Sequence, residues 1–192
     1  LGSQTDEIFP SAIKSQVRNY RKLEMRPLDY EAVIEIINSS PLSVIPTDDQ
    51  VSQIFSLSDG HPLALNYLLN MIMDVQNTDE ISDILSNAIH YSGNIEQQYQ
   101  SYWDDDKADS QLFELFGLIS RCKSDIDLDW FDSWYDRTTL IKLKNKFSHY
   151  FKRYDARWWS FFHNSFRIFI LQKTCESGQG ERDARKEIQY HR

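Results

Sequence analysis

A succession of short helices, each opened by a capping residue, is the feature of this sequence that most limits its fold. Thr47 and Gln50 have the spacing of a capping box, in which each side chain satisfies a backbone N–H of the other residue. Gly60 is placed to end that helix, and Pro62 to begin the next, because the first turn of a helix has no use for a proline N–H. Apolar residues recur at the helical period after these positions. The pattern predicts a mainly α-helical protein.

Further capping residues extend the series toward the middle of the chain. Asp29 is expected to cap the first helix, Thr78 the fourth and Asn94 the fifth, where Gln97 would complete a second capping box. The acidic run 104–106 then changes the local composition, and we interpret it as a solvated hinge. A domain boundary is therefore expected at about residue 104.

The second half of the chain predicts three helices, a hairpin and a last helix. The three helices are expected to begin near Ser110, to cover 128–135, and to begin near Thr138. The aromatic-rich stretch 151–162 suits a strand, a turn at Asp155-Ala156 and a second strand, and Asn164 to Lys173 suits a helix. Three helices followed by a two-stranded hairpin is the order of a winged-helix domain with a short β-hairpin wing.

Composition excludes several classes of protein. The formal net charge of -8 argues against wholesale coating of nucleic acid, which depends on clustered cations. No apolar run approaches the length of a membrane span. The two cysteines are too few for a disulfide framework and are expected to be free thiols. We therefore expect a soluble protein of the cytoplasm, without membrane contact.

The motifs of self-sufficient catalysis are missing from the sequence. It contains no phosphate-binding loop of the form G-x-x-x-x-G-K-[ST], and its five histidines show no metal-binding spacing. The acids around 128–135 are interpreted as the wet face of a short helix, and the aromatic run around Trp158 as core packing. We expect no catalytic residue and no metal ligand, so the segment alone is not expected to be an enzyme.

Two short strings stand out from this background. One runs from Ser58 to Leu65 and holds Gly60 and Pro62 at a helix start. The other runs from Phe161 to Phe169 and holds His163 at the head of an apolar helix. In this order, around a winged-helix pattern, they resemble the G-x-P and F-x-H-x-S-F-x-x-F motifs of STAND nucleotide switches, the NACHT-like branch in particular.

The resemblance implies a division of the chain into four parts. Residues 1–26 would end a nucleotide-binding core, 27–103 would form a helical lid subdomain, 104–175 the winged-helix domain, and 176–192 a linker into a repeat or sensor domain. The phosphate-binding loop and the residues that hold Mg²⁺ would lie upstream in the same protein. Whether that protein hydrolyses ATP stays open.

The resemblance also assigns nucleotide-binding roles to three residues. Gly60 would let the backbone approach the ligand, Pro62 would pack on adenine, and His163 would contact the β-phosphate of ADP. ADP would hold the protein closed, and ATP would open it for homo-oligomerisation, in an output such as defence signalling. The residues themselves also allow plainer explanations, namely an ordinary helix-turn-helix joint for Gly60 and Pro62 and a histidine satisfied in the core for His163.

A basic patch supports a second hypothesis, a DNA-binding winged-helix regulator. Between Arg137 and Arg157 the sequence has seven cations and one acid. The acids of 125–136 flank this patch and would repel phosphate, so DNA is the less favoured partner. A non-catalytic structural adaptor is the third alternative. The candidate DNA-binding residues are Lys142, Lys144, Lys146, Lys152, Arg153 and Arg157.

Overall fold

The computed structural model describes residues 26–106, 109–122, 125–155 and 157–175. These residues form eight α-helices and one small antiparallel sheet, so the expectation of a mainly helical protein is confirmed. The segments expected at 1–25 and 176–192 lie outside the described residues. In the described part of the chain, no helix is both long and apolar enough to cross a membrane.

Five helices make up the N-terminal part, and their starts test the predicted caps. Asp29 accepts a hydrogen bond from the Ala32 N–H (2.9 Å), as predicted. Pro62 occupies the first turn of its helix, also as predicted. The helices are α1 Tyr30–Ser39, α2 Asp48–Ser58, α3 Pro62–Ile72, α4 Thr78–Asn87 and α5 Ile95–Asp106.

The two predicted capping boxes had different outcomes. The box of Thr47 and Gln50 forms in full, with both reciprocal bonds present. In the second, the Gln97 side chain accepts instead from the Ser92 hydroxyl (2.7 Å), while the Asn94 side chain accepts from the Glu96 N–H (2.9 Å).

The predicted cap of α4 was wrong by one residue. Asn77 caps this helix, and its side chain accepts from the Glu80 N–H (2.9 Å). Thr78 is the first residue inside the helix.

The C-terminal part combines three helices with three short strands. The helices are α6 Ser110–Ile119, α7 Arg137–Phe147 and α8 Asn164–Cys175, and the strands are β1 Ile126–Asp127, β2 Phe151–Arg153 and β3 Trp158–Phe161. The predicted helix at 128–135 was too long, because only a single 3-10 turn, Leu128–Phe131, forms there. Asp136 rather than Thr138 caps α7, through a 2.7 Å bond from the Thr139 N–H.

The predicted hairpin is present, and a strand that was not predicted joins it. The sheet order is β1-β3-β2, with Ile126 opposite Trp159 and Phe151 opposite Phe161. The buried Asp127 carboxylate, next along β1, accepts from the Arg157 guanidinium through both of its oxygens. This ion pair holds the end of β1 against the start of β3.

Two hydrophobic clusters form the interior, and α3 contributes to both. The aliphatic cluster lies among α1 to α4 and consists of Val33, Ile37, Ile54, Leu65, Leu68, Leu69, Ile72, Val75, Ile81 and Leu85. The aromatic cluster lies around α5 to α8 and the sheet. Its rings are Tyr67, Tyr99, Tyr102, Trp103, Phe116, Phe131, Phe147, Tyr150, Phe151, Trp159, Phe166 and Phe169.

Helix α5 runs across the boundary expected between 103 and 104. Its residues Tyr99, Tyr102 and Trp103 pack in the aromatic cluster with the C-terminal elements. The division at 103 and 104 stays a prediction, as does the winged-helix character of 104–175.

Candidate functional site

A chain of hydrogen bonds links helix α3, which the first string begins, to the second string. The Tyr67 hydroxyl bonds the Tyr99 hydroxyl (2.8 Å), which bonds the Ser165 hydroxyl (2.8 Å), which bonds Nδ1 of His163 (2.7 Å). Tyr67 lies on α3, the helix that Pro62 begins, and Ser165 lies in the first turn of α8. Tyr67 in the second turn of α3 and the first turn of α8 are therefore tied to each other through α5.

His163 presents a free ring nitrogen to solvent. Its side chain is exposed, and its Nδ1 also lies 3.2 Å from the Ser165 N–H. When Nδ1 accepts from that N–H, the neutral ring carries its proton on Nε2. Nε2 has no hydrogen-bond partner among the described residues. The imidazole is thus oriented by α8 and available to donate outward.

A second histidine, His61, lies near the first. It is the N-cap of α3, where its Nδ1 accepts from the Ala64 N–H (3.3 Å), and its ring stacks on Tyr91 with centroids 4.3 Å apart. Burial lowers the pKa of His61, and its electrostatic interaction with the nearby His163 lowers it further. His61 is therefore held neutral beside His163.

His61 was missed because it is the variable middle position of the G-x-P string. The signal that could have found it is its place immediately before a proline at the first helical position, which is the N-cap position.

Gly60 has a structural explanation in this fold. Its φ is +65°, and a Cβ added there would lie 2.3 Å from the Leu28 carbonyl oxygen. The Leu28 N–H donates to the Gly60 carbonyl (2.8 Å). The close backbone approach that we attributed to a ligand is made here by Leu28. Pro62, two residues on, is half-buried at the start of α3.

Tyr67 and Tyr99, the two tyrosines of this hydrogen-bonded chain, are buried and uncharged. Burial is the largest cause of the raised pKa of both Tyr67 and Tyr99, and their mutual contact adds to it for Tyr67. The sequence predicted both residues as members of apolar helix faces. It gave no signal of their hydrogen bonds, because a tyrosine at helical spacing is equally suited to plain packing.

The six candidate DNA-binding cations do not form one free patch. Lys142 pairs with Asp109 (3.0 Å), Arg153 with Asp74 (2.8 Å), and Arg157 with the buried Asp127. The Lys146 ammonium lies 5.9 Å from the Phe147 ring centroid. Of the remaining two, Lys144 is exposed on α7, and the Lys152 ammonium lies 5.8 Å from the ring centroid of Phe162.

A metal site is not evident in the residues that the structure covers. Among them, no group of three His, Cys, Asp or Glu side chains could hold a metal ion. The carboxylates of 125–136 serve other contacts, with Asp127 bound to Arg157 and Asp136 capping α7.

Comparison with known proteins identifies no relative. No protein-family model, no curated protein and no solved structure matches this chain. The functional argument therefore depends on the geometry of the residues described above.

Proposed function

We propose that this chain is the nucleotide-sensing lid and winged-helix part of a STAND signalling ATPase. The observation that carries the proposal is the hydrogen-bonded chain from Tyr67 to His163, which links the helix that the first string begins to the second string. Sequence spacing alone gives no reason for strings about a hundred residues apart to meet. Their meeting supports a common ligand.

The order of elements in the C-terminal part supports the winged-helix component of this proposal. A helix, a short strand, a helical turn and a second helix precede the β2–β3 hairpin, and β3 lies in the centre of the sheet. In this arrangement β2 and β3 are the wing, and α7 is the helix packed beside it.

His163 would act as a hydrogen-bond donor to a phosphate of ADP. Its Nε2 points away from the bonds that orient the ring, and the N-terminus of α8 adds a positive partial charge. Pro62 would offer a rigid apolar surface to the adenine ring. Mg²⁺ would be held by residues upstream of this chain.

The proposed switch depends on which conformational state of the protein makes these contacts with the nucleotide. In the closed state, ADP would touch both Pro62 and His163 and so hold α3 and α8 in their observed relation. Exchange for ATP would favour the open state, which assembles into a homo-oligomer. The link through Tyr99 gives α3 and α8 a direct physical connection for this response.

The alternatives receive less support from the contacts. A DNA-binding regulator needs free cations, yet three of its six candidates are held in ion pairs. A structural adaptor accounts for Gly60, but it gives no reason for an oriented and exposed imidazole at His163.

The test is the release of ADP from the full-length protein with His163 replaced by alanine. Loss of a hydrogen bond to a charged group costs about 1.5–3 kcal/mol, so we expect ADP to dissociate roughly ten-fold to a hundred-fold faster. Thermal melting without nucleotide should change little, because the side chain is exposed. His90→Ala is the matched control, since the exposed His90 has no described hydrogen bond or ring contact with Pro62 or His163. Unchanged ADP release together with a large drop in melting temperature would make His163 a packing residue and remove the proposal's main support.

A further inference from the structure

A cavity of about 730 Å³ lies between the C-terminal half of α3, helix α7 and the β2–β3 hairpin. This volume is in the range of small-molecule binding sites, roughly 300–1,000 Å³. Neither His61, Pro62 nor His163 lines the cavity. Its nearest α3 residue, Asn70, lies eight positions or about 12 Å along the helix from Pro62. We call it the wing cavity, and it is separate from the site described above.

The charged residues around the wing cavity leave two cations uncompensated. Lys144, Lys152 and Arg153 line it, together with the carboxylates of Asp74 and Asp155. Asp74 pairs with Arg153 at 2.8 Å. The Lys144 and Lys152 ammonium groups have no carboxylate partner among the described residues.

The second carboxylate, Asp155, is occupied by the backbone of the hairpin turn. It accepts from the N–H groups of Arg157 and Trp158, each at 2.7 Å. Its negative charge remains, so the lining carries three cations and two carboxylates, and Lys144 and Lys152 are the two cations without an ion-pair partner among the described residues.

Neutral donors and apolar walls complete the lining. Trp159 lines the cavity, its side chain is buried, and its indole N–H has no hydrogen-bond partner. The Asn145 amide also lacks a partner among the described residues, and Met73 and Phe162 add apolar surface.

We propose that the wing cavity binds a small organic phosphate monoester. Lys144 and Lys152 can each donate to a phosphate oxygen, and a phosphate monoester offers more charge and more acceptor oxygens than a carboxylate. The apolar wall at Met73 and Phe162 favours an ester over the free inorganic ion. Because both α3 and the hairpin line the cavity, the bound ester holds the hairpin against α3. This site does not depend on the nucleotide site, since the two share no residue.

The experiment titrates the full 192-residue chain with phenyl phosphate, inorganic phosphate and benzoate, followed by proton–nitrogen NMR. The Trp159 indole N–H signal is assigned by its absence in Trp159→Phe. We expect phenyl phosphate to shift this signal and to bind at least ten-fold more tightly than either of the other two probes. Lys144→Gln and Lys152→Gln should each weaken phenyl phosphate binding about ten-fold or more.

Arg137→Gln is the matched control, because it removes one exposed cation from the same helix outside the cavity. It should leave binding within about two-fold of wild type, and melting curves check that all variants stay folded. An unshifted Trp159 signal, equal binding of inorganic phosphate, or equal weakening by Arg137→Gln would each overturn the proposal. Tighter binding of duplex DNA through the same two lysines would overturn it in favour of a nucleic-acid surface.

Discussion

The two hydrophobic clusters of this protein are built from different chemistry. The buried residues of the aliphatic cluster are all Val, Ile or Leu, whereas the aromatic cluster contains twelve aromatic rings. Several polar groups are buried with the aromatic rings, including the tyrosine hydroxyls, His149 and Asp127. Helix α3 turns one face to each cluster, with Leu68 on one and Tyr67 on the other.

Because of this difference in chemistry, the two clusters are expected to respond to different changes. Aliphatic side chains carry no hydrogen-bonding or titratable group, so the aliphatic cluster is expected to respond to packing changes alone. The aromatic cluster holds the bonds that reach His163, and its stability is expected to depend on pH and on single hydroxyl groups. The following predictions test this separation.

The largest effect is expected from truncating a ring in the aromatic cluster. Phe116 is 1% exposed and contacts the rings of Trp103, Phe147 and Phe166. Phe116→Ala should lower the free energy of unfolding by about 3–5 kcal/mol, from lost burial and a residual cavity. Urea denaturation measures this loss. The milder Ile54→Val in the aliphatic cluster should lower the free energy of unfolding by about 0.5–1.5 kcal/mol. An equal loss in both variants would contradict the expected difference between the two clusters.

A pH dependence is expected from the aromatic cluster alone. Burial lowers the pKa of His149 to about 3, with a further contribution from the charge of Arg153. This value lies below the ordinary 6.5, so the unfolded state takes up the proton first as the pH falls. The stabilisation is complete above pH 6.5 and is lost toward pH 3. The loss between pH 8 and 4.5 should be on the order of 3 kcal/mol.

The check is urea denaturation across that range in wild type and in His149→Phe. The variant should keep a much flatter profile, with a smaller slope left by His61, whose pKa is also lowered. An unchanged slope in His149→Phe would show that the titrating group lies elsewhere.

Removing one hydroxyl from the hydrogen-bonded chain should have an intermediate effect. Tyr99→Phe keeps the ring but leaves the Tyr67 and Ser165 hydroxyls without their shared partner. We expect a loss of about 1–3 kcal/mol and a change in the NMR signals of the His163 ring. Tyr102→Phe is the control, since Tyr102 packs in the same cluster outside this chain. Unaltered His163 signals would mean that the chain does not orient the imidazole.

The smallest effect belongs to a cap on the aliphatic side. Thr47→Ala removes one half of the capping box of α2 and should cost about 1 kcal/mol. The loss should be the same at pH 8 and pH 4.5, because no titrating group takes part. Thermal melting at both pH values measures this loss. A loss that depends on pH would contradict the expected difference between the two clusters.

The helices and several of their starts could be predicted from the sequence, because caps are local chemistry. Asp29 and the Thr47–Gln50 pair act within one turn, so their spacing carries the information. The errors at Thr78 and Thr138 have one cause. An Asn or Asp slightly earlier in the chain competes better for the first N–H groups, and Asn77 and Asp136 take the role.

Other features depend on contacts between distant residues and left no local pattern. Strand β1 has two residues and exists because Ile126 and Asp127 pair with β3. The bond from Tyr99 to Ser165 spans 66 positions, so the link between the two strings could not be inferred from either one. His163 was predicted from its motif, whereas its neighbour His61 became evident only from the fold.

The sheet order has a consequence for how the chain gains its structure. Strands β2 and β3 pair residues no more than ten positions apart, whereas Ile126 of β1 is 33 positions from Trp159. Closing the longer loop costs about 1 kcal/mol more in chain entropy. We therefore expect the hairpin to form before β1 joins the sheet during refolding. The ion pair of Asp127 and Arg157 is expected to form late in folding. Its loss is expected to speed unfolding more than it slows folding.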